Sequence, residues 1–282
     1  MTMVLARLSH DDFIRVQAML LEYAGITLAI SKRQMAENRL NRALRLTAFH
    51  SFDAYLTHVA KDATSRQFFV NAMTTNVTSF YREPHHFNVL RLSMVLPRVW
   101  SAGCSTGEEA ISILFTILDT LDEGGRQALL AKGQPLVLAT DVDTAVLNTA
   151  EIATYTSTQV TSIPAVWLAR AFECTADARY ILRSEYKQLI KFHSLNLNAP
   201  SWSFPLGFTN PTFDAIFCRN VMIYFSAQVQ RTLLLKFRRY MSDTRLFFSG
   251  HSEMLLHSTD LFDSIGATAY RPKPLPSLGG MR

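Results

Sequence analysis

The apolar pattern of this chain changes period once, near residue 97, and that change fixes the fold class before any motif is considered. Up to about residue 95, apolar positions recur every three or four residues. Phe13, Val16, Met19, Leu20 and Tyr23 follow helical spacing behind a Ser9 cap, and Gly25 can terminate the segment. Ser31 with Gln34 forms a capping-box signal that opens a second helix from Lys32 to about Leu46. A third is predicted from Ser51 through Val59 and a fourth from Ser65 to Met73. Residues 1–95 therefore read as a small helical N-terminal domain with a basic helix and a linker.

Beyond residue 97, short apolar runs alternate with amphipathic helices. Arg98 to Trp100 is followed by Glu108 to Leu121, Leu136 to Thr140 by Thr144 to Thr154, and Phe213 to Cys218 by Ala227 to Met241, with Leu246 to Ser249 closing the series. Strands separated by helices imply right-handed crossovers and an α/β fold, a Rossmann-like mostly parallel sheet covered on both faces. Such sheets bind ligands at the carboxyl ends of their strands. This second domain is placed at residues 96–272, with a flexible tail at 273–282 where alternating prolines and Gly279-Gly280 oppose regular structure.

A hydrophobic content of 48% and 18% charged residues in 282 describe an ordinary globule with ample core. No apolar run of about 18 residues and no leader-like N-terminus is present, which predicts a cytoplasmic protein without membrane insertion. Cys104, Cys174 and Cys218 are widely separated and show no ligand spacing with histidine, so they read as reduced packing residues and no metal site is expected. The formal charge of +5 fits an acidic partner, while no nucleic-acid motif or aromatic-basic interleaving is found.

Four segments carry chemistry. Thr74–Glu83 packs amide, hydroxyl, aromatic, cationic and carboxylate groups into ten residues too polar for core. Trp100–Glu109 runs from an apolar strand end through small residues into a helix start, and Phe213–Phe225 and Phe248–Glu253 follow. Together, in this order and across roughly residues 9 to 272, they resemble the chemotaxis receptor methyltransferases, the CheR family. The resemblance implies a class I methyltransferase that moves a methyl group from S-adenosylmethionine onto receptor glutamates, releasing S-adenosylhomocysteine. It also implies a cytoplasmic helical region of chemoreceptors, bearing acidic methylation helices, as partner.

The residues can be read against the parts of that cofactor. Gly103 and its small neighbours let the backbone approach a ligand, and the amides at the following helix start favour a carboxylate. Glu108 and Glu109 offer carboxylates to the ammonium or ribose, although Ser105 with Glu108 and Thr106 with Glu109 also match capping boxes. Asp141, ending the second strand, can accept both ribose hydroxyls, whereas Asp143 reads as the next helix cap. The long spacing from Gly103 to Asp141 is attributed to a loop around Gly124-Gly125. Asn196, Leu197, Arg219, Asn220 and Val221 lie after later apolar runs, where the resemblance implies contacts to the adenine and the methionine end. Asn76 and Thr78 are expected to cover the cofactor as a lid-like segment.

Because an acceptor glutamate with a pKa of about 4.3 is already ionised, the transfer needs no catalytic base, and His85, His86, His193 and His251 read as structural. His251 is assigned to the wall of the site. Arg82 is placed closest to the reaction, as a planar donor fork for a carboxylate, with an exposed pair to Glu83 as its alternative. Tyr224 is the second candidate, with a core position as its alternative. Lys32, Arg39 and Arg42 form a cationic stripe suited to an acidic substrate. Family members carry a small β-subdomain, placed here near residues 172–195, which in some docks a receptor pentapeptide. Residues 172–183 contain no glycine for its turn, so independence from the pentapeptide is expected. Cofactor residues alone leave open a different acceptor or a non-catalytic cofactor-sensing adaptor that binds receptors. The intact set of Arg82, Asp141, Asn220 and Tyr224 favours turnover.

Overall fold

The computed structural model describes residues 6–93, 96–209, 211–255 and 258–274, so most of the predicted tail, residues 275–282, lies outside it. Helix α1 (His10–Ala24) starts and stops where its sequence says. The Ser9 side chain accepts from the Asp12 amide, and Gly25, at φ 72°, ends it in the left-handed region. Helix α2 (Arg33–Arg45) differs from expectation, because the Ser31 and Gln34 box is not made. The chain enters through a 3₁₀ turn at Ile30–Lys32, and Lys32 precedes the α-helix without a side-chain cap. Helix α3 (Phe52–Lys61) is capped by Ser51. Helix α4 (Ala63–Met73) begins two residues before the predicted Ser65, since the Asp62 carboxylate takes the Ser65 amide at 2.6 Å. These helices close on a core of Phe13, Val16, Leu20, Leu40, Leu56 and Phe69. Helix α5 (His85–Ser93) then leads into the second region.

That region runs β1 (Val99–Ala102), α6 (Glu108–Leu118), α7 (Glu123–Lys132), β2 (Val137–Asp141), α8 (Thr144–Ile152), β3 (Thr154–Thr156), α9 (Ala165–Ala171), β4 (Phe172–Cys174), β5 (Arg179–Leu182), α10 (Ser184–Lys187), β6 (Ile190–Ser194), β7 (Phe213–Cys218), α11 (Ala227–Arg238), β8 (Met241–Ser249), β9 (Phe262–Gly266) and β10 (Ala269–Pro272). The main sheet has the order β6-β2-β1-β7-β8-β10-β9. Strands β6 to β8 are parallel, and β10 and β9 join antiparallel at one edge. Alternate residues feed two cores. Val99, Ala215 and Phe217 face one side, and Trp100, Ile216 and Cys218 face the other. Burial on both faces is why these strands read as continuous apolar runs.

Two expectations are corrected by the local chemistry. Gly124 and Gly125 lie inside α7 rather than in a loop. Asp122 accepts from the Gly125 amide at 2.7 Å, and Gly133, at φ 59°, terminates the helix, so strong caps at both ends outweigh two weak helix formers. The small antiparallel sheet, expected near 172–195, has the order β3-β5-β4 and spans 154–182, while β6 is an edge strand of the main sheet. Its glycine-free turn between β4 and β5 places Ala178 at φ 56°, where glycine is usual. No helix among the described residues is long and apolar enough to cross a membrane.

Strand order reverses on either side of β1, between β2 and β7, which makes that point the expected ligand crevice. The helical domain packs over this end of the sheet. Asn196 donates to the Tyr23 carbonyl at 2.7 Å, Gln67 donates to the Val142 carbonyl at 2.8 Å, and the Thr27 amide donates to the Tyr224 carbonyl at 2.8 Å.

Candidate active site

A cavity of about 540 Å³ opens at the carboxyl ends of β1, β2, β6 and β7, beneath the segment 74–82 and beside α1 and α2. This volume falls in the range of small-molecule and cofactor sites. Every residue predicted to touch the cofactor lines it except Glu108, and Tyr224, Lys32 and Arg39 line it as well.

Glu108 is the exception because it turns away into the protein. It is buried, its Oε2 accepts from the Thr106 hydroxyl at 2.6 Å and its Oε1 from Gln159 at 3.3 Å. Burial pushes its pKa up. Neither proposed capping box forms, since Gly107, at φ 95°, is the N-cap of α6 and offers no side chain.

The floor of the cavity is built by two neighbouring turns. Gly103 has φ 93°, and a Cβ on it would stand 2.3 Å from Val221 Cγ2, so only glycine lets the turns after β1 and β7 meet. Asp141 is held by backbone amides, with Oδ2 accepting from Ser105 at 2.9 Å and Oδ1 from Asp143 at 3.0 Å. Burial raises its pKa and these amides oppose the rise. Its remaining lone pairs are available to a ligand hydroxyl. Asp143 caps α8 through the Ala145 and Val146 amides, as its sequence position implied. Its other oxygen accepts from Thr74 at 2.6 Å and from Asn76 Nδ2 at 2.7 Å, while Ser105 Oγ donates to the Asn76 carbonyl at 3.2 Å. The segment over the cavity is thereby tied to the floor.

Arg219 is the electrostatic centre. With 2% of its side chain exposed, it stands 3.0 Å from Glu109 and 3.2 Å from Glu83, and it also donates to the Arg82 carbonyl. Glu109 takes a further hydrogen bond from Ser101 at 2.6 Å. Burial raises the pKa of Glu109 against the pull of Arg219. Burial works against the charge of Glu83 too, but Arg219 and the His251 amide together hold its pKa below the usual range. Glu83 is therefore the partner of Arg219 and not of its neighbour Arg82. The Arg82 side chain donates to the Val77 carbonyl at 2.8 Å and lines the cavity.

Tyr224 is half-buried on a 3₁₀ turn, Met222–Tyr224, and faces the cavity rather than the core. Asn196 spends its amide on structure, donating to Tyr23 and accepting from the Asn198 amide at 2.8 Å. The cationic stripe is divided. Arg39 donates to the Met73 and Thr74 carbonyls at 2.5 and 2.7 Å and to Thr75 Oγ1 at 2.8 Å, so it fastens the linker, whereas Lys32 and Arg42 are exposed. Arg42 does not line the cavity.

Sequence reasoning missed Glu83 and Glu253 by attending to Arg82 and His251 beside them. For Glu253 the signal was an acidic residue following an otherwise apolar strand end, whereas Glu83 stands in a polar segment that gives no such signal. His86, fully buried, donates from Nε2 to the Ala267 carbonyl at 2.8 Å, and burial and then Arg219 depress its pKa to about 3. Glu83, His85 and His86 bring ligand-type atoms within 4.8 Å of one another. The Arg219 guanidinium on Glu83 Oε2 opposes a cation there.

A family model described as "CheR methyltransferase, SAM binding domain" matches residues 76–271, and "CheR methyltransferase, all-alpha domain" matches residues 11–74. The chain is 38% identical over 277 residues to "Chemotaxis protein methyltransferase 2" of Pseudomonas aeruginosa, covering 94% of each. It is 38% identical over 272 residues to "Chemotaxis protein methyltransferase" of Escherichia coli, covering 93% of this chain and 91% of the relative. The same figures for the Klebsiella aerogenes relative of that description are 38%, 93% and 90%.

Proposed function

The chain belongs to the CheR methyltransferase family, and we propose that it methylates glutamate side chains on the helical cytoplasmic region of chemoreceptors. The observation that carries this reading is one cavity, at the strand ends, lined both by the Gly103, Glu109 and Asp141 cradle and by Arg82 and Tyr224.

The cradle fits S-adenosylmethionine. A glycine floor admits close backbone approach, and two carboxylates suit a ligand carrying an ammonium, a sulfonium and a diol. When bound, the cofactor supplies a methyl already activated by its positive sulfur. Asp141 would accept the ribose hydroxyls and Glu109 the ammonium. In the same reading Gly103, Arg219, Asn220 and Val221 would form the floor, Asn196 and Leu197 the adenine side, and Asn76 and Thr78 the cover, all of them residues that line the cavity. Arg82 then orients the acceptor carboxylate with its planar donor fork, and Tyr224, lining the same cavity, is the second residue assigned to the reaction. No base is needed for a carboxylate that is ionised at neutral pH.

Substrate encounter is assigned to Lys32 and Arg42, with exposed Arg45 beside them, since an acidic helix would meet them first. Arg39 acts through the linker instead. We read the glycine-free segment 172–183 as favouring independence from a C-terminal pentapeptide, and micromolar binding of such a peptide in calorimetry would contradict it.

The test is to incubate the purified protein with methyl-labelled cofactor and receptor-containing membranes. Base-labile label on receptor glutamates is expected. Label that is base-stable, or absent from the receptors, would overturn the proposal.

A further inference from the structure

We infer that Glu253, a buried carboxylate outside the cavity, is a positioning residue that sets the loop holding both the cofactor floor and Tyr224; this rests on the methyl-transfer reading above. The loop Arg219–Tyr224 leaves β7 and carries four of the candidate site residues, Arg219, Asn220, Val221 and Tyr224. Its backbone is awkward from the start. Asn220 adopts φ 59°, a left-handed conformation that asparagine tolerates better than most residues but that still needs its amide held by surrounding groups.

Glu253 supplies that restraint. Its Oε2 accepts from the Asn220 amide at 2.7 Å and the Gly250 amide at 2.7 Å, and its Oε1 accepts from the Ile223 amide at 3.1 Å. The Glu253 main chain is anchored as well, because Ser249 Oγ donates to its backbone carbonyl at 2.9 Å. Burial pushes its pKa up while the amides of Gly250, Asn220 and Ile223 pull the other way. Within the loop, the Tyr224 amide finds the Val221 carbonyl and the Phe225 amide the Met222 carbonyl, so those two donors are satisfied locally. The Asn220 and Ile223 amides depend on Glu253.

Gly250 shows how tight the arrangement is. A Cβ there would stand 2.4 Å from Asn220 Nδ2, 2.8 Å from the Asn220 amide nitrogen and 2.8 Å from Glu253 Oε2. Three converging N–H groups require an acceptor with two oxygens and no donor. A glutamine offers one oxygen and turns an NH₂ toward the donors, and an aspartate is one methylene too short to span the loop. One carboxylate thus fixes the spacing between the Asn220 end of the loop and the Tyr224 end.

The test is Glu253→Gln, assayed for S-adenosylhomocysteine binding by calorimetry and for turnover at saturating cofactor. A positioning role predicts at least fivefold weaker binding at a stoichiometry still near one, at least fivefold lower kcat, and a single cooperative unfolding transition. Binding and kcat both within twofold of wild type would overturn the inference. So would a fall in stoichiometry alone with unchanged Kd and unchanged kcat per competent site, which marks a purely structural residue. If Glu253→Gln does not accumulate as folded protein, Gly250→Ala keeps the carboxylate and displaces Asn220, and the same two losses are expected; unchanged values there also overturn the inference. Failure of wild-type protein to bind the product would instead refute the methyl-transfer reading itself.

Discussion

Arg219 Nη1 stands 3.0 Å from Glu109 Oε2 in the floor of the cavity, and both side chains are largely removed from water, with 2% and 12% exposed. The same guanidinium reaches Glu83 on the covering segment at 3.2 Å. One buried cation therefore joins the start of α6 to the lid. Replacing Arg219 by Met keeps the apolar stem and strands two carboxylates in low dielectric. Loss of one partner of a buried pair costs about 3–5 kcal/mol. Denaturant unfolding of Arg219→Met should show a loss of that order, and a loss below about 1 kcal/mol would contradict the buried-hub description.

Arg82 is a different kind of arginine. Its single hydrogen bond to Val77 is solvent-exposed and contributes little to stability. We expect Arg82→Ala to lower methyl transfer tenfold or more while the unfolding midpoint stays near that of wild type. Wild-type turnover in this variant would remove Arg82 from the mechanism.

Arg39 and Arg42 lie one helical turn apart and should separate in kinetics. Arg39 fastens Met73, Thr74 and Thr75, so Arg39→Ala should loosen the lid and weaken cofactor binding severalfold. Arg42 is exposed, and Arg42→Glu should raise the KM for receptor membranes, more so at low ionic strength, with cofactor affinity unchanged. Identical phenotypes for the two variants would refute this division.

His86 gives a pH dependence whose sign is fixed. Its pKa falls from an ordinary 6.5 to about 3 in the folded protein, so below pH 6.5 the unfolded chain binds the extra proton. Stability attributable to His86 is present above pH 6.5 and is lost toward pH 3, at up to about 1.4 kcal/mol per pH unit. The raised pKa values of Glu108, Glu109, Asp141 and Glu253 work in the opposite direction, so the comparison must be made with a variant. Between pH 7 and 5, His86→Gln should lose less stability than wild type, as read from thermal unfolding. Parallel pH profiles would show that His86 is not held neutral by its burial.

The sequence disclosed what is periodic and what is locally capped. The change at residue 97, the Ser9 and Gly25 ends of α1 and the strand at Phe213–Cys218 all stand as read, because each is decided by neighbours along the chain. The place of Asp141 and Gly103 in the cavity lining was legible too, since both stand at strand ends beside the switch point. What could not be read was long-range pairing. Nothing near Glu83 announces Arg219, and nothing near Glu253 announces the amides of Asn220 and Ile223. Arg39 matches a surface stripe by helical spacing, yet the Met73–Thr75 linker happens to pass within reach of its guanidinium. Glu108 and Glu109 are adjacent in sequence, but a helix sends neighbours about 100 degrees apart, so only one can face the cavity.

The cavity at the strand ends is the proposed seat of the methyl donor. The most direct measurement is a calorimetric titration of the purified protein with S-adenosylhomocysteine, run beside Gly103→Ala, in which a Cβ would collide with Val221. One saturable site per chain for wild type, and binding weakened at least tenfold in the variant, is the predicted result. Absence of binding to wild type, or equal affinity in both proteins, would contradict it.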